Sequence, residues 1–354
     1  PIAITVEGAN ILTRSLIIYG QGAIRCHPFV LRELHAAGDE DYDRGLIEFD
    51  DALFGHIGYA ISNMARSFFL ALTHAKFSQV PLNTPTRRYY QNINRYSAAF
   101  ALASDFAMLT LGGDLKRREL LSARLGDILS AMYLASCVLK HFENEGRRAT
   151  DLPLVEWSVR TLMYQAQESL HEFLLNIPNR WVSWFLRFFI FPRGRTYKNP
   201  SDELGQKVVA LMTTPGESRE RLSKYAYTTL EPGNPIGKLQ EALELSKENA
   251  PLEKRLRQAS KEGLIASDYL GLQIDEAEKA QVISKPEANS LRDYYEQVAA
   301  LRDVDDFAPG EFVGGSASTA PVAPPLKAPK DPAAKKAAGK KKPEAKKASS
   351  KKVN

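Results

Sequence analysis

The chain has only two cysteines among its 354 residues and no uninterrupted apolar run of membrane-spanning length. Cys26 and Cys137 are too few and too far apart to staple a small secreted fold, and they suit two buried thiols in a reducing cytoplasm. The longest apolar run, Trp181 to Phe191, is broken by Arg187 and falls short of the about 20 residues that a helical span needs. No secretory signal opens the chain, so the expected compartment is the cytoplasm. Nor is there a series of alternating strands with hairpin turns. Six histidines (His27, His35, His56, His74, His141 and His171) include no pair at helical i, i+3 or i+4 spacing, so no metal site is expected from them. Gly112-Gly113 lacks the preceding strand and the spacing of a phosphate-binding loop.

Hydrophobic residues make up 44% and charged residues 25%, the proportions of an ordinary globular protein. The formal charge of +5 is unevenly placed. Residues 313–354 hold eleven lysines against Asp331 and Glu344, a net +9, which leaves −4 for the rest of the chain. The body is mildly acidic and the basic pI belongs to the tail, so overall charge gives no argument for specific nucleic-acid binding. The tail, rich in Ala, Pro, Lys and Ser, lacks the apolar surface to fold and is expected to be disordered.

Helical periodicity fills the remainder, and an all-α helical bundle with peripheral helices is the expected fold class. A first long helix is expected over Phe49 to Ala71, with Phe49, Leu53, Ile57, Ala60, Met64 and Ala71 on one stripe. The next runs from about Thr86 to Leu111. Gly112-Gly113-Asp114 ends it, with glycine suited to the C-cap and Asp114 to the next N-cap. Leu121, Leu125, Ile128, Met132, Ala135, Leu139 and Phe142 then recur at alternating steps of four and three, a single bundle-type seam. A fourth helix is expected over Leu152 to Ile177, with Pro153 in its first turn. Shorter amphipathic helices are expected at 202–212, 235–247, 252–261, 275–283 and 286–301, wrapped around the bundle without a second core. The aromatic stretch 181–191 leaves two readings open: a buried helix that closes the bundle, or a patch that touches a membrane surface. Asp39-Glu40-Asp41 with Asp43 reads as a solvated acidic loop, and Lys116-Arg117-Arg118 with Arg124 as a solvated basic face.

The chemistry concentrates at the start. Val6-Glu7-Gly8-Ala9-Asn10-Ile11-Leu12-Thr13-Arg14 places a carboxylate on a glycine-containing turn just before an apolar helix, with Asn10 as a candidate N-cap. Physics alone allows a surface carboxylate at a positive helix end. The segment, however, resembles the catalytic loop of acyl-coenzyme A dehydrogenases, in which a Glu-Gly pair followed by Asn and Arg precedes the last helix of the catalytic domain. Glu7, Gly8, Asn10 and Arg14 stand at the matching positions. The blocks Ser15 to Pro28, Lys116 to Leu129 and Asp151 to Trp157 resemble the large bacterial type, which carries an extra C-terminal helical domain.

That resemblance implies Glu7 as the catalytic base, Gly8 at the substrate and FAD as cofactor, with Ala9 and Asn10 as candidate cofactor contacts. Ala9 stands where the family usually has Thr, which removes a hydroxyl contact to the flavin. Contact at the periphery of the inner membrane is an expectation from the aromatic stretch alone, whereas the resemblance also implies an acyl-CoA substrate, an electron-transfer acceptor protein and a homo-oligomer. The division expected from it is 1–37 as the end of a catalytic domain, 38–312 as an accessory helical domain and 313–354 as the tail. The chain is expected to be part of a longer enzyme and to be inactive by itself. The competing class is a non-catalytic helical interaction protein whose basic tail binds nucleic acid or anionic membrane.

Overall fold

The computed structural model describes residues 8–80 and 84–302; Glu7 and the tail 313–354 lie outside them. All regular structure among the described residues is helical. In chain order the helices are α1 (Gly8–Gln21, wound with π-type turns), α2 (Gly22–Arg25), α3 (Val30–Ala37), α4 (Tyr42–Leu72), α5 (Arg87–Leu111), α6 (Asp114–Arg117) and α7 (Glu119–Asn144). There follow α8 (Leu152–Asn176), α9 (Arg180–Ile190), α10 (Asp202–Thr213), α11 (Glu217–Ser223), α12 (Pro235–Lys261), α13 (Leu270–Lys279) and α14 (Lys285–Arg302).

Helix α7 is the axis of the main core. Every residue of its seam, from Leu121 to Phe142, is buried. The seam meets Val155, Val159, Met163, Ala166, Leu170, Phe173 and Leu174 of α8, and Leu102, Ala103 and Ala107 of α5. Among the described residues α7 is the one helix long and apolar enough to cross a membrane, but its seam is already filled by neighbouring helices. Between α5 and α6, Gly112 adopts φ 49°, a left-handed conformation that favours glycine, and its N–H closes the last turn on the Met108 carbonyl.

Several expectations are corrected. The buried face of α4 only partly follows the apolar stripe: Ala71 is buried and Met64 packs on the main core, but Ile57 is exposed, and Gly45, Ala52, Asn63, Ser67 and Leu70, outside the stripe, are inside. Small side chains there let α4 lie close to its neighbours. Asp114 is the first residue of α6 and Gly113 holds the cap position, because the backbone is already helical at Asp114. The segments expected at 235–247 and 252–261 are one helix, α12, with Pro251 inside it. Proline removes a backbone donor, and beside it the buried Asn249 donates to the Leu245 carbonyl at 2.9 Å and accepts from Ser290 at 3.1 Å. The late helices also have a core of their own, built from Leu256, Ala259, Ile265, Ile274, Ala277, Ile283, Ala288 and Leu291. Helix α13 starts at Leu270 and stops at Lys279, so Ile283 enters that core from a loop. Both cysteines are exposed, not buried, since Cys26 follows α2 into a turn and Cys137 lies off the α7 seam.

The two sides of α7 predict opposite outcomes for one chemical change. Leu125→Ala, at a fully buried position, should lower unfolding free energy by about 2–5 kcal/mol in urea titrations. Leu120→Ala, at a position 72% exposed, should stay within about 0.5 kcal/mol of wild type.

Candidate functional site

The expected site straddles the edge of the described structure. Gly8 opens α1 and is half-buried; Glu7 precedes it outside the described residues, as do the side chains of Ala9 and Asn10. Asn10 is not an N-cap, because the helix is already running at Gly8. Arg14, the last residue of the motif, donates to Asp127 Oδ1 of α7 at 2.9 Å. Burial pushes the Asp127 carboxyl above the usual carboxylate range, and the Arg14 guanidinium opposes that shift. Directly beside this pair Gly126 faces α1: a Cβ there would meet the Arg14 carbonyl and Cγ at 3.4 Å and Tyr19 Cβ at 3.7 Å. These are ordinary packing distances, so Gly126 lies in direct contact with α1.

Tyr19 anchors the far end of α1. It is buried, its ring packs edge-on against Phe100 and its hydroxyl donates to Ser104 Oγ at 3.3 Å. Burial drives its ionisation far above the ordinary phenol range, with the Ser104 bond opposing and the Asp105 charge adding to the rise, so it remains a neutral donor.

Next to Ser104 lies a polar cluster that no local spacing in the sequence reveals. His27 Nδ1 accepts the backbone N–H groups of Phe29 and Val30 at 3.2 and 3.1 Å, which satisfies the first donors of α3. With Nδ1 committed as acceptor, Nε2 carries the proton and donates to Asp105 Oδ1 at 3.0 Å. Both side chains are almost fully enclosed, at 7% and 6% exposure. His56 of α4 joins from the side: its Nδ1 lies 2.8 Å from Glu33 Oε1, and its ring centroid is 4.6 Å from that of His27. Phe29 stacks on His56 at 10° between planes, and a Cβ on Gly55 would sit 2.5 Å from the Phe29 ring. Glycine at 55 is therefore required for that approach.

His27, His56 and Asp105 bring potential ligand atoms within 4.8 Å of one another, close enough to raise a metal centre. The donor set argues against it. A metal on His27 Nε2 needs the proton on Nδ1, where two backbone donors already point. The cluster instead joins three elements, the entry to α3, α4 and α5. Its members are separated by tens of residues, so only the folded chain shows them together.

The other charged groups have local tasks. Asp39 pairs with Arg44 at 2.6 Å, and Asp41 caps α4 by accepting the Arg44 N–H at 3.2 Å, which accounts for the acidic loop. Lys116, Arg117 and Arg118 are exposed; Arg117 pairs with Asp114, and Arg124 reaches Glu172 at 3.3 Å. Two cavities among the described residues have no residue of α1 in their lining. One of about 770 Å³ is lined by α10 and α11 around Lys207 and Arg219, and one of about 330 Å³ by Cys137, His141 and Arg221.

Fold and site together define an all-α helical domain that carries a short motif-bearing helix on its central helix. Residues 24–307 match the family described as acyl-CoA dehydrogenase, C-terminal, bacterial type, and the chain belongs to that family. No solved structure matches the chain. The matched region begins after Glu7, Gly8, Ala9 and Asn10, so their roles rest on the motif.

The tautomer is directly measurable. Imidazole ¹⁵N spectra should show His27 as the Nε2–H form, unchanged by zinc. A zinc-dependent exchange of the proton to Nδ1 would restore the metal reading.

Proposed function

We propose that the chain serves an FAD-dependent acyl-CoA dehydrogenase that oxidises acyl-CoA to trans-2-enoyl-CoA in fatty-acid β-oxidation, with Glu7 as the base. The observation that carries this reading is the seating of the motif helix: Arg14, four residues after Asn10 of the Glu-Gly motif, is tied to Asp127 of a domain that belongs to this family. The segment through residue 37 then brings the base to the active site, and the helices that follow act as its accessory domain. The exposed outer face of α1, with Leu12, Ile17 and Ile18, suits packing against the flavin-binding portion of such an enzyme.

The described residues do not by themselves make a flavin cradle. Ala9 lacks the hydroxyl that the family uses, and neither the 770 Å³ nor the 330 Å³ cavity has a residue of α1 in its lining. No step through the flavin is therefore derived from this chain, and the hydride half of the oxidation is left to the rest of the site. The proton half falls to Glu7. Its carboxylate takes the proton from the carbon next to the thioester carbonyl, and the electron pair left behind forms the enolate. Enclosure in a dry pocket strengthens a carboxylate as a base, because water no longer stabilises its charge. Gly8 offers a backbone without a side chain, which allows the thioester to approach the loop. An electron-transfer protein as acceptor, a homo-oligomeric enzyme and a cytoplasmic location complete the proposal.

In the complete flavoenzyme Glu7→Gln should cut kcat by about 100-fold or more while flavin absorbance and bound substrate remain. Turnover within tenfold of wild type would remove Glu7 as the base.

A further inference from the structure

Helix α9 has one packed and one exposed face. Leu186 and Ile190 are buried, and Val182, Phe185 and Phe189 pack on the main core. The opposite face carries Trp181, Trp184 and Phe188 at 82%, 68% and 53% exposure, spaced as one helical stripe. It continues onto the end of α4. Phe188 stacks on Phe68 at 5.4 Å, and Phe69, Leu72 and Phe77 beyond it are exposed. Arg193 fixes the two elements together by donating to the Leu72 carbonyl at 3.2 Å.

The two stretches that build this face carry no acid of their own, since no Asp or Glu occurs between Asp51 and Asp105 or between Glu172 and Asp202. Glu168 and Glu172 of the neighbouring α8 lie near His171 together with Arg187. Arg66, Lys76, Arg180 and Arg187 are exposed there, on a body whose charge is otherwise slightly negative. With the steps of an α-helix, Arg180 and Arg187 fall beside the Trp184 stripe, where their side chains rim the indoles. A recess of about 460 Å³ lies between Arg180, Trp181 and Trp184.

We propose that the α9 face, with the end of α4, is a docking surface for an anionic phospholipid bilayer. Indole and phenyl rings suit the boundary between headgroups and acyl chains, and the arginines complement lipid phosphates. An acidic protein partner would equally meet the cations. Exposed tryptophans on a short, strongly two-sided helix, however, favour the interface of a membrane, where such side chains bury their apolar bodies while their N–H groups stay wet. The inference rests on this exposed face and stands apart from the assignment of Glu7.

The lysines of residues 313–354 would also attract anionic vesicles, so the test must read the aromatic face itself. The full chain is mixed with vesicles of equal parts phosphatidylglycerol and phosphatidylcholine. Tryptophan emission should shift to the blue, acrylamide quenching should fall, and the protein should sediment with the vesicles. Trp181→Ser with Trp184→Ser, both at highly exposed positions, should keep the wild-type unfolding midpoint and partition about tenfold or more weakly. Arg180→Glu with Arg187→Glu should weaken binding in the same assay. Sedimentation with unchanged tryptophan emission would assign binding to the tail and overturn the proposal. So would equal partitioning of the aromatic variant, or the same emission shift with soluble polyglutamate and no vesicles.

Discussion

The architecture depends on one constraint, the continuous apolar seam of α7. A helix whose buried residues recur at alternating steps of four and three keeps a single face inward along its whole length. That face fixes α8 and α5, and α1 lies against α7 beside it, in contact at Gly126. The Arg14–Asp127 pair and the Tyr19 hydroxyl add direction to a contact that packing alone would leave free to slide. Side-chain exposures of 35% and 40% make the ion pair a modest source of stability, so its contribution is orientation more than energy.

The second constraint is polar. His27 gives one ring nitrogen to the start of α3 and the other to Asp105, so a single imidazole both caps a helix and fixes it against α5. This arrangement needs a neutral ring in one tautomer and leaves Asp105 Oδ2 buried without a partner among the described residues. Phe29 and Tyr59 pack their rings against His27 and help exclude water, so the unpartnered Asp105 Oδ2 is a cost that the rest of the packing offsets.

Much of this was legible in the sequence, and the limits were physical. The α7 seam could be read because apolar side chains mark its buried face without exception. The face of α4 could not, because Gly45, Ala52, Asn63 and Ser67 bury by being small, and a hydrophobic pattern passes over such positions. The break expected between 247 and 252 is bridged in the fold by the buried amide of Asn249, whose partners come from α12 itself and from α14. The exposed cysteines show that an apolar neighbourhood in sequence does not settle which side of a helix a residue occupies. The motif at Glu7 and Gly8 was visible as a pattern, whereas the His27 cluster depends on residues that only folding brings together.

The central claim is that α1 and the bundle form one cooperative unit, so that the motif helix is held by the domain it precedes. Native-state amide exchange across a denaturant series tests this directly. Amides of residues 13–20 should join those of 121–142 in the global unfolding event, with one common dependence on denaturant. Exchange of 13–20 through a separate opening of low free energy, while 121–142 stay protected, would contradict the account.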